Sequence, residues 1–503
     1  MSYTTVTRAV RLTASAIAGV LLALVVALLA AGPSLAPAPP GIGGASASPS
    51  ASPSPGPPLA PAALDVDGQR AREHTAFFAD RARGGRYTAS PGYDEAARYM
   101  AERFAELGLD PLGDGGTYFQ RFSMPLVDLA ATPVLSVTAP SARAFTHRVD
   151  FTERVGGTFG SGGGEGGLVF IGSGVATPGA SDFDKVDVRG KVAIVITGGR
   201  NDPARDLAAR GAIGAIYVTS GTLLKFSYLP RFEPRILPGL IVTTAVANEL
   251  LAPAGKTVNE LIAEVQVQGR ASPAPSPAFE LPQTVRIGVA LTPVREVEAT
   301  NVVGLLRGGD PEASKRAVVV GGHLDGVGTD PDGAVFPAAN DNASGPGLTI
   351  EVARTLLGLR ERLRSSVIFV AFAGEEQGLN GSEAFLAQTA TIPGRRESLI
   401  AYVNLDVVGC CGGSVSASDE SEGMVDRVER AAEALGVPFS RGGRGSSDQA
   451  SFARRGVPAT LLNWSSIGPI HTTADTIDLV TAERLGIIGR VAALVTLELA
   501  AGR

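Results

Sequence analysis

Only four histidines occur in these 503 residues, and two of them stand just past apolar runs. His323 ends "AVVVGGH", and His471 follows "ATLLNW" in "HTTADT". Acids occupy the matching places on neighbouring runs: Glu375 and Glu376 close "VIFVAFAG", and Asp406 closes "LIAYVNL". Asp341 opens a helical stretch in "AANDNASG". An acid or imidazole after a wholly apolar run costs desolvation unless it is paired or metal-bound. One such strand is unremarkable, but three strands and two flanking loops form a pattern. Imidazole nitrogen with carboxylate oxygen suits zinc. Five ligands are too many for one closed tetrahedral ion and fit two ions sharing a carboxylate, roughly 3.5–4 Å apart. The adjacent Glu375 and Glu376 can divide labour, one coordinating and the other acting as general base on a water. Asp325 and Asp475, close in sequence to the two histidines, are placed to orient their imidazoles. His74 and His147 have no acid cluster around them and read as structural.

The elements that must position these groups are legible as alternation. From about 285 onward, strand-length apolar runs ("NVVGLL", "AVVVGGH", "SVIFVAFAGEE", "LIAYVNLD", "PATLLNW") alternate with helical stretches such as "GLTIEVARTLLGLRERL" and "EGMVDRVERAAEALG". This predicts an α/β fold with a mixed, mainly parallel sheet flanked by helices. Sites in such sheets collect at the carboxyl ends of the strands, where the candidates lie. Residues 65–150 read as the first part of the same domain. There "YDEAARYMAERFAELGL" sets Ala96, Met100, Phe104 and Leu107 on one stripe that Gly108 stops, and "GTYFQRFSMPLVDL" follows as a strand. Residues 151–283 change texture and read as an inserted small β-rich α/β module, closed by the Pro-rich "GRASPAPSPAF". Its "GSGGGEGG" lacks a following Lys-Ser/Thr and is not a phosphate loop. Residues 284–503 are expected to be the main catalytic part.

The length calls for two or three domains. The net charge of −6 is mild, and no basic stretch of the body suggests a nucleic-acid partner. Arg8 and Arg11 precede an uncharged apolar run from Leu12 to Ala31, so residues 1–32 are expected to be a signal peptide or an N-terminal membrane anchor. Either reading exports the remainder, secreted or held at the outer face of the cytoplasmic membrane. Residues 33–64 are a Pro/Ala/Ser linker unable to build a core. The adjacent Cys410 and Cys411 are expected to be two small buried residues rather than a disulfide, because a bond between neighbours staples no loop.

The stretches "GGHLDG", "AANDNASG", "FAGEEQGLNGSEAF", "VNLDVVG", "SSDQASFARRGVPAT" and "HTTADT" together resemble the co-catalytic di-zinc aminopeptidases of the M28 type. The resemblance covers roughly 300 to 500 and the helical region 70 to 125. The middle module resembles the protease-associated (PA) domain carried by many members. The resemblance implies a zinc-exopeptidase-like fold and two zinc ions per chain. One ion would be held by His323 and Asp406, the other by Glu376 and His471, with Asp341 bridging and Glu375 as general base. It also implies a cis peptide after Asp341. Two positions depart from the pattern: Ile470 stands where many members have Tyr, and Gln449 where "SDH" would place His. The expected activity is exported removal of N-terminal residues from peptide substrates. A carboxypeptidase or dipeptidase on the same core is the rival, and Arg441, Arg444, Arg454 and Arg455 are available to meet a carboxylate. A receptor-like binding protein would not need the six metal-site residues, and no G-x-S-x-G elbow supports a serine hydrolase.

Overall fold

The computed structural model describes residues 64–502, apart from 156–158, 177–180, 197–202, 226–227, 229–236, 271–275, 389–397 and 422. The expected leader at 1–32, and the linker up to residue 63, lie outside the described residues. No helix among the described residues is long and apolar enough to cross a membrane.

Among the described residues the chain forms two sheets, of nine and eight strands. The first is mixed, with parallel strands at its centre. Strands Ser366–Phe372, Ala317–His323, Leu399–Leu405 and Ala459–Trp464 lie side by side in that order, each parallel to the next. Antiparallel strands complete it, Arg295–Leu306 on one side and Val415–Ala417 on the other. The central strands are apolar throughout because both faces are covered. Val318 and Val320 enter the core beneath helices Gly68–Ala79, Ser344–Leu357 and Ala482–Ala500. Val319 enters the opposite core with Ile368, Phe372, Tyr402 and Phe452. Alternate residues therefore serve opposite layers, as a period of two requires. The helical stretch read at 93–109 is found as Pro91–Glu106, burying Ala96, Met100 and Phe104, and Ser90 caps its start through Tyr93 N–H.

The second sheet is an insertion between two adjacent strands of the first. The chain leaves at Leu126 and returns at Arg295, and these residues pair directly across the antiparallel ladder. Between them, Leu129–Ala139 and Phe279–Leu291 form an antiparallel ribbon that carries the remaining strands. The layer thus begins near 129 and ends near 291, wider than the expected 151–283. The reason is that its first and last strands pair with each other, a non-local contact that the texture of the sequence does not mark.

Candidate metal centre

Register brings the candidate residues together. His323 pairs with Phe372, three residues before Glu375. Gly321 pairs with Asn404, which sets His323 level with Asp406. The two glycines before His323 are sterically required: a Cβ on Gly322 would lie 2.2 Å from the Leu405 carbonyl oxygen and 2.9 Å from Asn342 Nδ2.

His323 Nε2 lies 3.3 Å from Asp341 Oδ1 and 3.3 Å from Asp406 Oδ1. His471 Nε2 lies 3.1 Å from Asp341 Oδ2 and 3.1 Å from Glu376 Oε2. The donors fall into two triads, His323–Asp341–Asp406 and Asp341–Glu376–His471, with the ligand atoms of each within 4.8 Å of one another. Asp341 belongs to both. His323 also groups with Glu375 and Glu376. His323, Asp341, Glu376 and Asp406 are buried, whereas Glu375 and His471 are half-buried.

Four carboxylates crowd two imidazoles here, and the electrostatics follow. Burial, with the charges of Glu376, Asp448 and Asp406, holds the Glu375 carboxyl well above its usual range. Burial and the Asp341 charge raise Glu376. Burial works against a charged His323, but Asp406 and Glu375 overcome it and raise the imidazole pKa well above the ordinary value. Glu376 and Asp341 do the same for His471. Burial likewise opposes a charged Asp341, yet the hydrogen bonds from both imidazoles bring it below the normal range. Asp406 Oδ1 is buried and accepts no hydrogen bond despite its nearness to His323. A divalent cation between such groups would neutralise the crowding and use that oxygen. The donor set therefore fits two cations sharing Asp341.

The surrounding contacts correct one expectation and refine another. Asp475 does not touch the His471 imidazole. Its carboxylate accepts from Asn340 N–H at 2.8 Å and Asp341 N–H at 3.0 Å, so it fixes the Asp341 loop instead. The Asp325 carboxylate accepts the N–H groups of Glu375 and Glu376, each at 3.2 Å. His323 Nδ1 sits 3.1 Å from the Asp325 carbonyl oxygen and 3.7 Å from Oδ1. The side chain thus orders the glutamate turn more than the ring. The Asp341–Asn342 peptide is cis. Asn342 accepts from Gly345 N–H and donates to the Leu405 carbonyl.

Cys410 and Cys411, expected as separate residues, are joined in a disulfide. The backbone of Cys411 is left-handed, φ 67°, and this turn brings the neighbouring sulfurs together. Sequence reasoning also missed Arg86. Its guanidinium is fully buried and donates to the carbonyls of Leu324, Phe78, Pro337 and Ala338 at 2.8–2.9 Å. It ties the residue after His323 to the loop before Asp341. Its only local mark is "RGGRYT", a turn signal with no chemistry. His147, read as structural, meets Glu153 at 2.7 Å inside the inserted layer.

An α/β sheet with paired histidines and shared carboxylates at its strand ends is the architecture of a metallohydrolase. Residues 301–496 match the model of peptidase family M28. The chain is 40% identical over 135 residues to a probable zinc metalloprotease of Pyricularia oryzae, covering 26% of this chain and 25% of that protein. It is 31% identical over 197 residues to leucine aminopeptidase 1 of Uncinocarpus reesii, covering 35% and 49% respectively. The chain therefore spans a quarter to a half of these relatives' length. Its fold is that of an aminopeptidase from Aneurinibacillus sp. strain AM-1, with a TM-score of 0.65 at 20% identity over 88% of this chain and 95% of that one.

Proposed function

We propose that this protein is an exported zinc aminopeptidase that removes N-terminal residues from peptides with two zinc ions per chain. The observation that carries the reading is a single carboxylate, Asp341, whose two oxygens face the two site histidines at 3.3 and 3.1 Å. His323 and Asp406 would hold one ion, Glu376 and His471 the other. Bound there, zinc would polarise the scissile carbonyl and acidify the attacking water. Glu375 is the general base: it is half-buried beside His323 and Glu376, placed to take a proton from the water and pass it to the leaving amine. The surrounding acids favour a substrate's free α-amine. We read the inserted layer as a protease-associated module roofing the site. The rival carboxypeptidase reading loses support because three of its four candidate arginines are engaged: Arg454 and Arg455 with Glu383, and Arg441 with Asp426 and Glu429.

The test combines metal analysis with substrates whose amine is free or blocked. About two zincs per chain and cleavage of free-amine substrates alone are expected. Glu375→Gln should lower kcat by about 10²–10⁴-fold while zinc stays bound. Retained turnover would remove Glu375 as the base, and cleavage of blocked substrates would overturn the aminopeptidase assignment. Fractionation of cells expressing the full chain tests export.

A further inference from the structure

Cys410 and Cys411 take no part in the chemistry above, yet they stand where the loops of the metal centre meet. Cys410 is buried and Cys411 half-buried, four and five residues past Asp406. Cys410 N–H donates to Asn340 Oδ1 at 3.1 Å, and Gly409 N–H donates to the same oxygen at 2.8 Å. Asn340 directly precedes Asp341, and its Nδ2 donates to the Ile467 carbonyl at 3.2 Å. The next residue, Gly468, lies over the sulfurs: a Cβ there would be 2.7 Å from Cys411 Sγ and 2.9 Å from Cys410 Sγ. Three residues later comes His471. On the far side, Arg484 donates to the Cys411 and Gly412 carbonyls at 3.0 and 2.7 Å and stacks on Trp464. The bonded sulfurs thus fill the space beneath the His471 loop, while the peptide that carries them is tied to the Asp341 loop.

We propose that the Cys410–Cys411 disulfide is a positioning element of the metal centre, holding His471 and Asp341 at the separation that retains a cation. The proposal rests on the metal-centre reading above. Reduction by a phosphine breaks the S–S bond. The phosphine gives up two electrons and takes the oxygen of one water, whose two protons go to the resulting thiols. Two unbonded sulfurs need van der Waals separation, about 3.5–4 Å, and Gly468 closes one side of the space into which they could part. Parting towards it displaces the His471 loop. His323 and Asp406 meet the disulfide through the chain before Cys410 and through the shared Asp341, away from the His471 loop, and move less.

The experiment uses the purified full chain. Alkylation and mass measurement should find no free thiol before reduction. Chelator competition should show one of two zincs weakened about 10–100-fold by phosphine reduction and in C410S/C411S, a range set by the measured cost of losing groups that orient metal ligands. Amide exchange should accelerate at 467–472. Gly468→Ala, strained at φ 70° in either background, should weaken zinc more in the oxidised protein than in the C410S/C411S background, where the sulfurs are gone. If C410S/C411S does not fold, reduction of the folded wild type still makes the comparison. Equal zinc affinity in oxidised and reduced protein, an equal effect of Gly468→Ala in both backgrounds, or free thiols in the untreated chain would each overturn the proposal. Failure of the oxidised wild type to hold any zinc would overturn the metal-centre reading itself, and shows before any reductant is added.

Discussion

Both site imidazoles carry raised pKa values in the metal-free chain because buried carboxylates surround them. The acids thus favour the protonated ring, whereas only a neutral imidazole ligates. Apparent zinc affinity should therefore rise with pH until it passes the raised values, and binding should release protons. That release is read by calorimetry in buffers of different ionisation heat; pH-independent affinity would contradict the assignment. Asp475 permits a sharper test. Each of its oxygens accepts one backbone N–H of the Asp341 loop, so Asp475→Asn turns one acceptor into a donor facing a donor. A loss of about 1–3 kcal/mol of stability is expected in chemical denaturation, with weaker zinc retention in the folded variant.

The loops at the strand ends are held by backbone contacts rather than by regular structure. Arg86 is the clearest case: four carbonyls from three segments converge on one fully buried guanidinium, whose pKa burial lowers to about 10. Its charge faces Asp475, Asp325 and Asp341, so it also balances part of the acid cluster. Lysine keeps a charge but has only three donors on one nitrogen and cannot span the four sites. Arg86→Lys should cost about 1–3 kcal/mol and raise the zinc dissociation constant, measured by denaturation and chelator competition. A variant with unchanged zinc affinity would make Arg86 a purely structural clamp.

The inserted layer is pinned to the peptidase part by a buried charge network close to the site. Arg148 meets Asp330 at 2.7 and 3.1 Å and Glu153 at 2.8 Å. Lys225 reaches Asp330 at 3.2 Å, and its backbone N–H donates to the His471 carbonyl at 3.0 Å. The loop carrying Asp330 follows His323, so both histidine loops touch the insertion. Asp330→Asn leaves two buried cations short of a partner and should cost about 3–5 kcal/mol in denaturant titration. Glu153 adds an acid-sensitive contribution. Burial opposes its charge, but the hydrogen bond from His147 and the Arg148 charge overcome this and bring its pKa down to about 2 from 4.5. A depressed carboxyl stabilises the fold above its unfolded pKa. That stability should fade as the pH drops from 4.5 towards 2, and a thermal-stability profile should lose this acid limb in Glu153→Gln.

How much of this was readable follows from the range of the interactions. The apolar runs, their alternation with helices, the four polar residues closing them and the two on flanking loops are local patterns, because a strand buried on both faces must be apolar to its end. The α/β class and the candidates His323, Asp341, Glu375, Glu376, Asp406 and His471 could be read from them. The edges of the inserted layer could not, since Leu129–Ala139 pairs with Phe279–Leu291 some 150 residues away. Nor could the partners of Asp475, the clamp at Arg86, or the seat of the Cys410–Cys411 pair beneath Gly468. Those depend on which backbone amides and carbonyls come to face a side chain, and side-chain identity carries no record of that. Chain chemistry named the groups able to bind a cation; folding alone chose the atoms that hold them still.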